Sequence, residues 1–173
     1  AERFLRSHGL NAAQTGSLAR ILVAAQRDGS LSHGLQRLPG TRDTMGHPDF
    51  NRQADPQPES LSPAVTRIDA QYGFSCLAAE RGIPQLIEKA RQVGIGLLAV
   101  NKGFHSTALW PMVERIAEAG LVGLTTVDIG QRPGLAVAQA DPLEPRDRLA
   151  RGVHCGTLIA RCAGHSAVGS RRR

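Results

Sequence analysis

The sequence predicts an α/β (α+β) fold, and three observations carry that reading. Apolar residues recur with helical period near the N-terminus, at Leu18, Ile21, Leu22 and Ala25. Strand-like and helix-like segments then alternate between residues 64 and 127. Aromatic residues make up only 3% of the chain, so the core must be built from Leu, Ile, Val and Ala.

The elements follow in order. Asn11 is a candidate cap for a helix that runs to Arg27, where Asp28-Gly29-Ser30 ends it. Ser32-His33-Gly34 opens a short helical turn, and Pro39-Gly40 stops it. Residues 41–63 are polar and rich in Pro, Asp and Gln, hence a loop. Residues 64–69 alternate as a strand does. A helix is expected over 76–92, with Pro84 a local defect and Gly94 its end. Residues 95–100 read as a buried strand and 101–107 as a loop. Residues 108–119 read as a helix with Leu109, Met112, Val113 and Ile116 inward. Gly120 closes it before a last strand over 121–127.

Charge divides the chain near residue 128. The formal net charge is +6, of which residues 1–128 carry +1 and residues 129–173 carry +5. A near-neutral body gives no electrostatic case for nucleic acid. No apolar run approaches the ~18 residues that cross a bilayer, so no membrane role is expected. Three widely spaced cysteines make no disulfide framework, and with no signal-like N-terminus a reducing cytoplasm is the simplest setting.

Chemistry concentrates in residues 26–40. Ser32 and His33 place a hydroxyl beside an imidazole, and Arg37 follows four residues on. A helical turn would put residues 33 and 37 on one face, so both side chains could address one ligand. Arginine grips a carboxylate with two parallel hydrogen bonds, and histidine exchanges a proton near neutrality. The plain alternative is a helix cap with a histidine beside it. His105 lies in a polar loop after a strand, a common place for a ligand contact and also for an ordinary surface histidine. Gly94-x-Gly96 precedes a strand, whereas the dinucleotide fingerprint follows one, so a Rossmann reading is rejected. His154, Cys155, Cys162 and His165 do not have a common zinc spacing, and no metal is expected. Asp28 and Asp69 are assigned no role.

Several of these stretches together resemble a known family. Gln26-Arg27-Asp28-Gly29-Ser30, Ser32-His33-Gly34 and Arg37-Leu38-Pro39-Gly40 resemble the N-terminal signature of the malate/L-lactate dehydrogenases that lack a Rossmann domain. Ala90-Arg91, Gly94-Ile95-Gly96, the stretch from Asn101 to His105, and Ala119-Gly120-Leu121-Val122-Gly123-Leu124 extend the likeness. Ala25 to Ser30 and His105-Ser106-Thr107-Ala108-Leu109-Trp110-Pro111 look most like the Δ1-piperideine-2-carboxylate/Δ1-pyrroline-2-carboxylate reductases of that family.

The resemblance implies an unusual, largely antiparallel nucleotide-binding fold and NAD(P)H-dependent hydride transfer to a C=N or C=O next to a carboxylate. It implies that His33 donates the proton, that Ser32 orients it in a relay, and that Arg37 clamps the substrate carboxylate. His105, Ser106, Thr107, Ala108 and Leu109 would line the nicotinamide cofactor, with NADPH ranked ahead of NADH. Family members work as dimers. The rival within the same chemistry is a dehydrogenase of a 2-hydroxy acid such as malate, lactate or ureidoglycolate. The rival outside it is a non-enzymatic remnant or a basic-tail binding protein.

The likeness covers residues 1–128, the expected domain, and family members are about twice as long. Residues 129–173 are expected to be a basic tail, disordered or out of frame. Their Arg, Ala, Gly and Pro enrichment favours the frame-shifted reading, and a weak strand at 156–160 is the one element read there. The expected consequence is a truncated and poorly active chain.

Overall fold

The computed structural model describes residues 1–127 and the backbone of a strand at 154–162. Two helices open the chain, α1 (Glu2–Ser7) and α2 (Ala12–Arg27). The Asn11 side chain accepts a hydrogen bond from the Gln14 backbone N–H, the cap that its position predicted. The buried side of α2 carries Leu18, Ala19, Leu22 and Ala25.

The next stretch departs from expectation. Two short 3-10 turns, Leu31–His33 and Leu35–Arg37, replace a single helical turn. Pro39-Gly40 does not stop a helix but lies within the first turn of α3 (Leu38–Met45). Proline near a helix start forfeits only an N–H that has no intrahelical partner there. The following loop ends in a short edge strand, β1 (Pro58–Ser60).

From here the alternation is as read. β2 (Val65–Asp69), α4 (Ser75–Val93), β3 (Ile95–Gly103), α5 (Trp110–Glu118) and β4 (Leu121–Val127) follow in turn. α4 runs through Pro84, which is exposed. Gly94 ends that helix at φ +86°, a left-handed conformation that glycine adopts at least cost. Of the four residues expected inward on α5, Met112 and Ile116 are buried, and Leu109 and Val113 are half-buried.

The five described strands form one sheet in the order β1-β2-β3-β5-β4, where β5 is His154–Cys162. Three of the four described pairings are antiparallel, and only β2 and β3 run parallel, joined through α4. The strand read at 156–160 is therefore present. It lies between β3 and β4, pairing Leu97 with Ile159 and Leu124 with Ile159. The side chains of His154, Cys155, Cys162 and His165 lie outside the described residues.

One sheet face is covered by helices. Leu98 and Val100 of β3 and Ile68 of β2 are buried with Ile83 and Leu86 of α4. Gly82 permits this contact, because a Cβ there would come within 2.5 Å of Leu98 Cδ1. On the opposite face, among the described residues, Ile95, Val122 and Leu124 are each about half exposed.

Candidate active site

The site is assembled where the turns after α2 meet the segment that links β3 to α5. Gly34 lies tight against α2, where a Cβ would fall 2.6 Å from Gln26 Oε1. That Gln26 oxygen accepts the Leu35 backbone N–H at 3.0 Å. These contacts fix the reversal between the two 3-10 turns. His33 and Arg37 thus meet across a bend and not along one helical face.

His33 is half-buried. Its Nδ1 lies 3.2 Å from Ser32 Oγ and 3.3 Å from Ser30 Oγ. Its Nε2 has no hydrogen-bond partner among the described residues. Burial first, and then the nearby positive charge of Arg37, hold the imidazole pKa below the ordinary histidine value of 6.5. The Arg37 guanidinium is itself held below its usual range by burial. It has no carboxylate or hydrogen-bond partner among the described residues. A half-buried cation without an anion is costly, and a ligand carboxylate would relieve that cost with two charge-assisted hydrogen bonds.

The second motif reaches the same place. The Trp110 ring meets His33 edge-on, with centroids 5.9 Å apart and planes at 69°. The indole Nε1–H donates to Asp28 Oδ2 at 3.2 Å. That bond and the neighbouring Arg27 hold the Asp28 carboxyl below the usual carboxylate range. Ser106 joins from the other side, its Oγ 3.4 Å from Thr41 Oγ1 on α3.

The expected cofactor residues divide by environment. His105 is half-buried and its Nδ1 lies 3.3 Å from Ser75 Oγ at the start of α4. This placement follows from the backbone, where Phe104 N–H donates to Gly73 C=O at 2.9 Å and Ser75 N–H donates to Phe104 C=O at 3.0 Å. Ser106, Thr107 and Ala108 are buried, and Leu109 is half-buried. Thr107 Oγ1 is buried with no hydrogen-bond partner among the described residues, and so is Asn101 Oδ1. Orphaned polar atoms in this stretch fit a polar ligand such as a dinucleotide.

Sequence reasoning did not find Asp28, Ser30 or Trp110 as members of the site. Asp28 looked like a helix-ending acid, and only the pairing of residues 82 positions apart reveals its partner. Among the described residues no cluster of three His, Cys, Asp or Glu side chains forms a metal site.

Comparison with known proteins follows this geometry. The family model described as malate/L-lactate dehydrogenase matches residues 1–141. The chain belongs to the malate/L-lactate dehydrogenase family. It is 43% identical over 126 residues to the delta(1)-pyrroline-2-carboxylate/delta(1)-piperideine-2-carboxylate reductase of Pseudomonas aeruginosa, which covers 73% of this chain and 38% of that relative. The crystal structure of delta1-piperideine-2-carboxylate reductase from Pseudomonas syringae pathovar tomato matches with a TM-score of 0.69 at 39% identity, covering 72% of this chain and 37% of that one. Malate dehydrogenase from Pyrococcus horikoshii matches with a TM-score of 0.64 at 26% identity, covering 72% of this chain and 36% of that one. The chain thus spans less than two fifths of the length of these family relatives.

Proposed function

We propose that this chain carries the proton-donor and carboxylate-binding half of an NAD(P)H-dependent reductase of cyclic imino acids. The half-buried Arg37 beside His33 carries the reading, because it is a cation with no anionic partner among the described residues, next to a titrating group. The likeness to reductases of Δ1-pyrroline-2-carboxylate and Δ1-piperideine-2-carboxylate supplies the substrate class.

Arg37 binds the carboxylate and so fixes the adjacent imine carbon and nitrogen. The nicotinamide, when bound, supplies the hydride for that carbon. His33 gives the imine nitrogen a proton from Nε2, while Ser30 and Ser32 hold Nδ1. The product is the saturated cyclic amino acid. His105, Ser106, Thr107, Ala108 and Leu109 are the residues that would contact the cofactor, and NADPH is the proposed form. A homodimer in the cytoplasm completes the proposal. Residues 1–128 form its working domain, and 129–173 continue out of frame. Resequencing codons 128–132 tests that last point, since a one-base slip restoring family-like sequence is the expected result.

The likeness to malate dehydrogenase favours one rival, a 2-hydroxy acid dehydrogenase using the same His33 and Arg37. NADPH oxidation with Δ1-piperideine-2-carboxylate, pyruvate and oxaloacetate separates the two. Turnover of the imine is expected from a frame-restored, full-length version, the chain as it stands being expected to be poorly active, and turnover of the keto acids alone would reverse the assignment.

A further inference from the structure

We propose that Asp28 and Trp110 are positioning residues for His33, with the Asp28 carboxylate holding the indole and the T-shaped contact with the indole setting the tilt of the imidazole. This rests on His33 as the proton donor. Two kinds of contact orient the ring. The serine hydroxyls at Nδ1 fix its rotation in its own plane, and they leave its tilt free. The T-shaped contact with the Trp110 ring, centroids 5.9 Å apart at 69°, is the ring contact that restrains the tilt. Trp110 is in turn fixed by its N–H bond to Asp28 Oδ2, while Asp28 Oδ1 accepts from Arg27 Nε at 3.0 Å. Asp28 sits at the C-terminal cap of α2 and Trp110 opens α5, so both ends of the restraint stand on regular elements.

The action is steric rather than electrostatic. The charge that shifts the His33 pKa is that of Arg37. The acceptor oxygen of residue 28 should therefore matter, and its negative charge should not. Asparagine keeps such an oxygen at the same reach, and alanine does not.

The test uses the 173-residue chain with 13C- and 15N-labelled histidine, read by NMR without substrate or cofactor. The indole ring current displaces the His33 ring C–H resonances. Asp28→Ala and Trp110→Phe are expected to move them toward free-histidine values, and Asp28→Asn to leave them where they are. In turnover, Asp28→Ala is expected to lower kcat about tenfold or more with the imino-acid KM unmoved, because Arg37 is untouched. Asp28→Ala that lowers the melting temperature yet leaves the His33 resonances in place would overturn the proposal, since that is how a mere structural tether behaves. Asp28→Asn behaving like Asp28→Ala would also overturn it. The NMR arm reads the free protein, so a frame-restored, full-length version with no reductase activity would sink the proposed function and leave this result standing on its own.

Discussion

His33 and His105 are held by the same local device and placed in different surroundings. Each has a serine hydroxyl about 3.3 Å from Nδ1, Ser30 for one and Ser75 for the other. His33 sits on a bend between two 3-10 turns, beside a guanidinium with no anionic partner among the described residues and in T-shaped contact with an indole. His105 sits behind the end of β3, pinned by backbone bonds to the start of α4. Burial and Arg37 depress the His33 pKa. A serine-held imidazole is therefore not enough to identify a proton donor. The neighbouring cation, and an Nε2 without a partner among the described residues, are what support His33 as the proposed donor.

The largest expected difference between the two is kinetic. In a full-length version, His33→Ala should lower imine reduction by about 10²- to 10⁴-fold in kcat, the usual contribution of a general acid. His105→Ala should act mainly on the KM for NADPH. Steady-state kinetics of both variants check this, and equal losses of kcat would break the comparison. Arg37→Lys comes next, with an expected rise in substrate KM of about ten- to a hundredfold, since a point charge cannot replace a two-pronged contact. The same change should leave the NADPH KM alone.

The pH dependence is smaller but sharper. Proton donation needs the imidazolium, so reductive kcat/KM should fall as pH rises through the depressed His33 pKa, which lies below 6.5. Arg37→Met removes the second cause of that depression and should move the limb to higher pH. Stability runs the other way. The unfolded chain binds the His33 proton first as pH falls below 6.5, so folding stability is lost across that window. Urea midpoints at several pH values should show this loss shrinking in His33→Gln. The smallest effect is expected from Ser75→Ala, a few-fold rise in NADPH KM through a less ordered His105.

Much of this molecule was legible before its structure. Asn11, Gly94 and Gly120 marked helix ends because capping and left-handed turns are local chemistry. The two motifs were legible as residue types. Their meeting was not, because Asp28 and Trp110 bond across most of the body. α3 was hidden because Pro39-Gly40 reads as a stop unless it is known to open a helix. The place of β5 between β3 and β4 was hidden too, since register is fixed by long-range pairing and nothing within 156–160 encodes its neighbours.

The central claim is that Arg37 and His33 share one carboxylate ligand. The direct measurement is the His33 pKa by NMR, with and without saturating pyrrole-2-carboxylate, a planar acid that cannot be reduced at this site. Neutralising Arg37 should raise the His33 pKa toward or above its ordinary value, so that binding takes up a proton. A His33 pKa that does not move when this ligand binds would contradict the account.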